Sequence, residues 1–368
     1  MPALKFMNGR KLAFQKGLRT IVRARSKRVT RRGGTICAIR PRLYDAGGMP
    51  EVNQIVQGDS IRLLNEGPEG WVDLVFADPP FNIGYLYHGY NDERNDKEYL
   101  DFSREWIRAV HRALKPTGSF YLAIGDEYAA DLNVIARRDV GFHLRNWIIW
   151  HYTFGQQPKN KYARSHTHIL YFTKNPKEFV FNADSVRVPS ARQTTYADRR
   201  ANPKGKLPDD VWYLDPGTFV LRPPEAPEPL FSADCDTWNV SRVCGTFKER
   251  EGWHGCQMPM GVLNRIILAS SNPGDVVLDP FNGSGTTTVA AALLGREYVG
   301  IDQSAEYVEF ARKRLEHALE SAAANGAVGK PEAAVAAAID PKRSSKVKTD
   351  TDAFGRPRVP RRRAAKSA

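Results

Sequence analysis

Two segments that combine an acid with proline carry the residue types best suited to chemistry. The first, Asp78-Pro79-Pro80-Phe81, follows the apolar run 72–77. Two prolines in a row make a stiff corner whose carbonyls can accept hydrogen bonds. A carboxylate and a carbonyl held there could both accept from one planar amino group, and Phe81 offers a face for a flat ring. An ordinary proline turn after a strand has a similar composition, so this segment alone leaves both interpretations open.

The second segment, Asp279-Pro280-Phe281-Asn282-Gly283-Ser284-Gly285-Thr286, predicts a strand end, a glycine turn and a helix start. Glycines let the backbone approach a ligand, and a helix amino terminus favours a polar or anionic group. Asp302 ends the next apolar run, 19 residues after Gly283. An acid at about this distance is placed to accept hydrogen bonds from ribose hydroxyls. A NAD-type dinucleotide fold is the alternative, but the turn lacks that fold's third glycine.

The elements that must position these segments alternate between strands and helices, which predicts an α/β fold. Short apolar runs bounded by turn residues are typical of buried parallel strands, whose carboxyl ends carry the chemistry of open sheets. The predicted strands are 54–57, 72–77, 119–124, 147–150, 168–172, 276–279 and 298–301, and the longer predicted helices are 98–114, 260–271 and 304–322.

Together the two segments resemble the motifs of the DNA amino-methyltransferases, which use S-adenosylmethionine. The catalytic motif precedes the cofactor motif, an order that resembles the β class of this family. The resemblance covers roughly residues 53–320 and implies a Rossmann-like, mostly parallel seven-stranded sheet, the circularly permuted methyltransferase fold. It places a catalytic domain at 53–322, with a target-recognition region inserted at 183–250.

The resemblance also implies roles for individual residues. In the catalytic motif of Asp78, Pro79, Pro80 and Phe81, the Asp78 carboxylate and the Pro79 carbonyl would hold an amino group and Phe81 would stack on its base. Asp59 matches the acid that contacts the cofactor's adenine, while its position also suits a helix cap. The segment from His254 to Pro259 resembles the family's His-Pro-x-Gln-x-Pro, with Gly255 in place of the first proline. The predicted cofactor-binding residues are Asp59, His254, Gln257, Asp279, Pro280, Phe281, Gly283, Ser284, Gly285, Thr286 and Asp302.

The net charge of +13 is unevenly distributed along the chain. Residues 1–44 carry 13 Lys or Arg and no acid, and residues 329–368 carry 11 basic and 4 acidic residues. The span 45–328 therefore carries a net charge of −7. We expect a basic N-terminal arm at 1–48 and an alanine-rich, basic tail at 323–368, both disordered, that bind a polyanion. A merely solubilising role stays open for both arms, and an organellar presequence or a misassigned start codon stays open for the N-terminal arm.

The cysteines and the absence of long apolar runs bear on the cellular setting. Cys37, Cys235, Cys244 and Cys256 are irregularly spaced, which favours reduced thiols in a cytosolic protein. The family resemblance implies that this is a bacterial cytoplasm and that the protein is nucleoid-associated. No Cys-x2-Cys pair occurs, so we expect no metal. The chain has no run of about 18 apolar residues, and no membrane is expected as a partner.

The family resemblance implies a site-specific DNA methyltransferase that acts on the exocyclic N6 of adenine in double-stranded DNA. Among family members, cytosine enzymes often resemble Ser-Pro-Pro-Tyr at the catalytic motif, which favours adenine for a motif that begins with Asp78. N4 of cytosine is the main alternative, since Asp also occurs there and Phe81 departs from the commoner tyrosine. An RNA methyltransferase and a silent DNA-binding protein are the rivals from other classes. A homodimer and a cognate restriction endonuclease are further candidate partners.

Overall fold

The computed structural model describes residues 43–45, 48, 50–84, 86–87, 90–152, 159–160, 162, 164–194, 198–212, 251 and 257–324. Most of the predicted N-terminal arm, the four cysteines, His254, residues 213–250 of the predicted recognition region and almost all of the tail lie outside these residues. Within them, no helix is long and apolar enough to cross a bilayer.

Ten strands and seven α-helices follow one another through the described residues. The strands are β1 (Gln54–Gln57), β2 (Val72–Ala77), β3 (Leu86–Tyr87), β4 (Tyr90–Asn91), β5 (Leu114–Ile124), β6 (His143–His151), β7 (His166–Thr173), β8 (Val211–Trp212), β9 (Val276–Asp279) and β10 (Glu297–Asp302). The helices are α1 (Ser60–Glu66), α2 (Asp96–Ala113), α3 (Ala129–Val134), α4 (Ala191–Thr194), α5 (Met260–Ser270), α6 (Thr286–Leu293) and α7 (Ala305–Ala324), and a π-helical turn (Ile135–Val140) continues α3.

The main sheet has the order β1-β10-β9-β2-β5-β7-β6-β8. The five strands β1, β10, β9, β2 and β5, which are consecutive in the sheet, pair in parallel. β7 runs antiparallel to both of its neighbours, β5 and β6. The seven-stranded, mostly parallel sheet is therefore confirmed, and β8 adds two residues at its edge. β9 lies beside β2, with Leu74 opposite Val277. The late cofactor strand and the early catalytic strand are thus neighbours, as a circular permutation requires.

Helices cover both faces of this sheet. Leu64 of α1 and Trp106 of α2 belong to one buried cluster, while Ile267 of α5, Val289 of α6 and Ala311 of α7 belong to the other. The connections that leave β2 and β9 therefore pass over opposite faces. The pair of strands at which connections diverge is the switch point of an open α/β sheet, where ligands bind beyond the carboxyl ends.

The largest difference from the predicted elements lies at β5. Strand 119–124 was expected after a break at Pro116, but β5 begins at Leu114, directly after α2. Val72 pairs with Leu114 and Leu74 pairs with Ser119, so residues 115–118 form an irregularity in the β2–β5 ladder. A bulge of this kind accommodates proline within a strand, which the sequence pattern alone does not distinguish from a loop.

The described fold also includes residues 43–45 and 48 of the predicted N-terminal arm. Leu43 is buried. The Tyr44 hydroxyl donates to the Leu63 carbonyl at 2.9 Å, and its ring packs edge-on against Trp71. The predicted arm of residues 1–48 therefore overlaps the catalytic fold at its end.

Candidate active site

Four acids lie at the carboxyl ends of four adjacent strands. Asp59 follows β1, Asp302 ends β10, Asp279 ends β9 and Asp78 follows β2. Because these strands are parallel, their carboxyl ends share one edge of the sheet. The structure therefore brings the predicted catalytic acid and the three predicted cofactor acids to the same edge.

Asp302 holds the glycine turn in place. One of its oxygens accepts from the Gly283 backbone N–H at 2.8 Å, and the other accepts from the Ser304 N–H at 2.8 Å. Burial raises the pKa of this carboxyl group. Each carboxylate oxygen can accept more than one hydrogen bond, so Asp302 is able to bind vicinal hydroxyls while it fixes the turn.

The glycine turn itself uses backbone conformations that favour glycine. Gly283 has φ of +43° and Gly285 has φ of +76°. A Cβ added at Gly285 would lie 2.9 Å from the Ala311 Cβ, so α7 passes too close to the turn for a side chain. These glycines allow the turn to lie between β10 and α7 and to present backbone at the start of α6. The turn fits a cofactor cradle of the predicted kind.

Asp279 is the most deeply buried of the four acids. Its Oδ1 accepts from the Phe281 N–H at 3.0 Å. Burial raises its pKa to about 7, although a hydrogen bond from the Thr287 side chain opposes the shift. Asp279 is therefore placed to shape the Asp-Pro-Phe turn from within.

Phe281 connects the cofactor turn to the catalytic half of the fold. Its ring lies 5.2 Å from that of Trp106 and 6.4 Å from that of Phe102, both in edge-on geometry and both on α2. α2 leads from the catalytic motif to β5, so these contacts join the two motifs through one aromatic cluster. Such pairs add about 0.5–1.5 kcal/mol beyond the area they bury.

Ser284 and Thr286 face the protein interior. Their hydroxyls lie 3.1 Å apart, and Arg314 of α7 donates to the Ser284 carbonyl at 2.8 Å and to Thr286 Oγ1 at 2.9 Å. Arg314 also lies 3.6 Å from Glu251, whose backbone N–H donates to the Gln257 side chain at 2.7 Å. These contacts join predicted cofactor residues to one another. No sequence signal singled out Arg314 among the basic residues of its helix.

Asp59 caps α1 and also contacts the neighbouring strand. Its Oδ1 accepts from the Arg62 N–H at 2.8 Å, which is the N-cap geometry. Its Oδ2 accepts from the Gln303 side chain at 3.2 Å, and the preceding Gly58 N–H donates to the Asp302 carbonyl. The cap that the sequence suggested is therefore present, at a position adjacent to Asp302.

Hydrogen bonds of Tyr99 and Asn82 fix the catalytic motif and the residue that follows it. Tyr99 of α2 donates to the Pro80 carbonyl at 2.8 Å. Asn82 adopts φ of +57° and exchanges two hydrogen bonds with the Arg94 backbone, while its amide also donates to the Tyr128 hydroxyl at 2.8 Å. The sequence placed Tyr99 only within the predicted helix 98–114 and gave no role to Asn82 or Tyr128, since these contacts join residues distant in sequence.

Comparisons with known proteins identify the family and several relatives of this chain. The family model described as DNA methylase, for the N6/N4 methyltransferases, matches residues 72–313. The type II methyltransferase M.HpaI of Haemophilus parainfluenzae is 36% identical over 263 residues, which cover 72% of this chain and 74% of the relative. The DNA adenine methyltransferase YhdJ of Escherichia coli (strain K12) is 34% identical over 274 residues, which cover 72% and 83%.

A solved structure shares the fold at lower identity. The PvuII DNA methyltransferase, which is cytosine-N4-specific, matches with a TM-score of 0.51 at 19% identity, over 70% of this chain and 84% of that chain. At this identity the likeness shows the fold and carries no information on the base.

Proposed function

The chain belongs to the N6/N4 family of DNA methylases, and from this premise we propose that it transfers a methyl group to the exocyclic N6 of adenine in DNA. Family membership confirms the expected cofactor, S-adenosylmethionine. The observation that carries the proposal is the position of Asp78-Pro79-Pro80-Phe81, directly after β2 and beside the β9 strand that leads into the glycine turn.

The cofactor would be held by the edge that includes the glycine turn. Bound S-adenosylmethionine supplies a methyl group that a nitrogen lone pair can take from its sulfonium sulfur. Asp302 would accept from the ribose hydroxyls, and Asp59, one strand further along, would contact the adenine ring of the cofactor. Asp279, Phe281 and the glycines would shape the turn, as their hydrogen bonds and dihedral angles support.

Asp78 and Pro79 would prepare the target nitrogen for attack. The lone pair of an exocyclic amino group is delocalised into the ring, so the nitrogen is a poor nucleophile. The Pro80 carbonyl already accepts from Tyr99, and the proposal assigns the amino group to the Asp78 carboxylate and the Pro79 carbonyl. Two acceptors favour a tetrahedral nitrogen, and the carboxylate would stabilise the positive charge that develops as the N–C bond forms and the C–S bond breaks. The methylated nitrogen would then lose one of its two protons to solvent, which restores the neutral amino group.

Phe81 would stack on the target base once it leaves the duplex. A base inside the helix cannot reach a pocket at the sheet edge, so it must be extruded. Phe81 is half-buried, and a Cβ added at Gly125 would come within 3.2 Å of its ring. The backbone of Gly125 therefore passes close to this ring and leaves little room for a side chain between them.

Adenine is preferred over cytosine because the motif begins with Asp78. The family's cytosine enzymes often resemble Ser-Pro-Pro-Tyr here, and one relative at 34% identity is named as an adenine methyltransferase. N4 of cytosine is the second candidate, since the hydrogen-bonding chemistry would serve either amino group.

Sequencing that detects modified bases decides between the two candidates. We expect DNA from a methylation-free host that expresses the protein to carry N6-methyladenine at one sequence motif. The Asp78→Ala variant, expressed to the same level, should leave no mark while it retains cofactor binding. Methylated cytosine without methylated adenine would overturn the choice, and transfer to RNA but not DNA in a purified assay would overturn the substrate class.

The predicted recognition region at 183–250 would read the DNA sequence. In its described part, Arg187 donates to the Gly205 carbonyl at 2.9 Å, and Val188 bridges to Lys206. The short β8 strand then pairs with β6. These contacts support a region attached to the sheet edge that lies farthest from β1.

A further inference from the structure

The segment 125–128, after β5, lies close to the catalytic motif and contacts two residues beside it, Asn82 and Tyr99. A Cβ added at Gly125 would come within 3.2 Å of the Phe81 ring, so the backbone of this residue passes close to the ring. The Tyr128 hydroxyl accepts from the Asn82 amide at 2.8 Å, and its ring lies 4.4 Å from that of Tyr99, which donates to the Pro80 carbonyl. A shift of this segment would therefore move the ring on which the target base is proposed to stack.

Asp126, within this segment, lies within ion-pairing distance of three side chains at the start of β7 and just before it. Its Oδ1 lies 3.1 Å from His166 Nε2 and 3.1 Å from His168 Nε2, and its Oδ2 lies 2.8 Å from Arg164 Nε. Arg164 also donates to the adjacent Glu127. We call Asp126, Arg164, His166 and His168 the Asp126 cluster.

The two histidines and the carboxylate are close enough together to hold a metal ion, but their hydrogen bonds indicate a different role. The Trp147 indole N–H donates to His168 Nδ1 at 2.9 Å. That nitrogen must accept, so a neutral His168 carries its proton on Nε2 and donates it to Asp126. A cation would need the Nε2 lone pair, and the Arg164 guanidinium adds positive charge at the same carboxylate. Hydrogen bonds and the ion pair with Arg164, rather than a metal ion, therefore hold the cluster together.

We propose that Asp126 is a positioning residue for methyl transfer, which fixes Phe81 and the segment 125–128 against the start of β7. This inference rests on the proposed function, because Phe81 matters only if a base stacks there. Through Arg164, Asp126 ties the β6–β7 connection to the catalytic edge. Its loss would leave the cofactor turn intact, since Asp302 and Asp279 hold that turn through separate contacts.

The Asp126→Asn variant tests the proposal. An amide keeps the shape of the side chain but offers one acceptor oxygen in place of two and removes the charge that pairs with Arg164. We expect single-turnover methylation to fall roughly 10- to 100-fold, the effect of misplacing a reacting group by about 1 Å. Cofactor affinity and the melting temperature should change little.

Asp139→Asn provides a matched control. Asp139 accepts from Arg104 Nε at 2.9 Å, and the exposed side-chain fractions of this pair, 34% and 29%, resemble the 39% and 33% of Asp126 and Arg164. Asp139 follows α3 in the π-helical turn and has no contact with the catalytic motif among its described ion pairs. Its variant should retain wild-type turnover.

A second variant and a fluorescent probe separate positioning from folding. Arg164→Gln removes the other partner of the Asp126–Arg164 ion pair. The Asp126→Asn/Arg164→Gln double variant should methylate DNA no more slowly than the slower of the two single variants. With 2-aminopurine in place of the target adenine, both variants should bind DNA but show a smaller fluorescence change than wild type. If cofactor affinity or melting temperature fell in these variants as much as the methylation rate does, the proposal would be overturned in favour of a structural role.

Two further outcomes are distinguishable. If wild type methylates DNA and Asp126→Asn does so at the same rate, this inference fails while the proposed function stands. If wild type methylates no DNA, the proposed function itself fails. Stoichiometric Zn²⁺ binding that is lost in His168→Gln would overturn the protonated arrangement of the Asp126 cluster.

Discussion

Asp302 and Asp279, at the ends of adjacent strands, differ in how strongly their surroundings stabilise the ionised carboxylate. Asp302 accepts from two backbone N–H groups, which stabilise its ionised form against the burial that raises its pKa. Asp279 is more fully buried, and its pKa is raised to about 7, with the charge of Asp302 as a further cause after burial. At neutral pH the protonation of Asp279 is therefore evenly balanced, in the turn that would carry the cofactor.

The raised pKa of Asp279 predicts a pH-dependent stability in the protein without cofactor. Between pH about 4 and pH about 7 the folded state keeps a proton that the unfolded state has released. The free energy of unfolding should therefore fall as pH rises through this window, by at most about 1.4 kcal/mol per pH unit. Asp279→Asn should remove this dependence, so the stability of the variant relative to wild type should rise from pH 4 to 7 and then level off.

Urea denaturation at several pH values measures this difference. Asp184→Asn is the control, because Lys204 and then Arg187 lower the pKa of Asp184 through hydrogen bonds. The stability that Asp184 contributes is present above its unfolded pKa and is lost only at lower pH, so this variant should give a constant difference between pH 4 and 7. The same constant difference for Asp279→Asn would contradict the prediction.

At the scale of elements, the approach of α7 to the glycine turn sets the geometry of the cofactor edge. A Cβ at Gly285 would meet Ala311 at 2.9 Å, and one at Gly300 would meet Asn282 Oδ1 at 2.5 Å. Glycine is thus required at the turn by contact as well as by conformation. The sequence motif showed the glycines, and the fold supplies the second reason for them.

Two glycines at opposite ends of α6 allow the effect of backbone conformation to be separated from the effect of close packing. Gly285 and Gly295 have nearly equal φ angles of +76° and +77°, but an added Cβ meets a neighbour only at Gly285. Gly295→Ala should cost about 1–2 kcal/mol for its left-handed backbone. Gly285→Ala should cost a further ~1–3 kcal/mol for overpacking against α7, and it should also weaken cofactor binding, which Gly295→Ala leaves unchanged. Calorimetric titration and urea denaturation measure both effects, and equal costs would contradict the packing argument.

The elements were largely predictable because their signals are local. β1 and β2 have the predicted bounds, and α2 begins two residues before the predicted start. The contacts that complete the site were not predictable, because they depend on the order of strands in the sheet. The hydrogen bond from Tyr99 to Pro80 spans 19 positions and that between His168 and Asp126 spans 42. Periodicity shows that a residue is buried, but not which neighbour it contacts.

At the scale of the whole molecule, charge is separated between the catalytic body and the ends of the chain. Residues 45–328 carry a net charge of −7, while residues 1–40 carry 12 Lys or Arg and no acid. An acidic body repels the phosphates of DNA except where local basic residues face it. The basic ends therefore offer a source of affinity that does not depend on DNA sequence, and we propose that they bind the DNA backbone.

This proposal predicts how DNA affinity depends on salt. Each phosphate contact that is removed lowers the slope of log affinity against log salt by about 0.9. A chain that lacks residues 1–40, which retains the packed Leu43 and Tyr44, should bind DNA more weakly and with a smaller slope. Its methylation motif should be unchanged, because phosphate contacts carry no direct sequence information.

A full-length variant with the 12 basic residues of 1–40 replaced by Gln should behave in the same way, whereas replacing the arm's Ser and Thr residues by Ala should leave the slope unchanged. Fluorescence anisotropy over a range of salt concentrations measures the slopes, and a wild-type slope in both the truncated and the Gln-substituted chain would assign the arm a solubilising role.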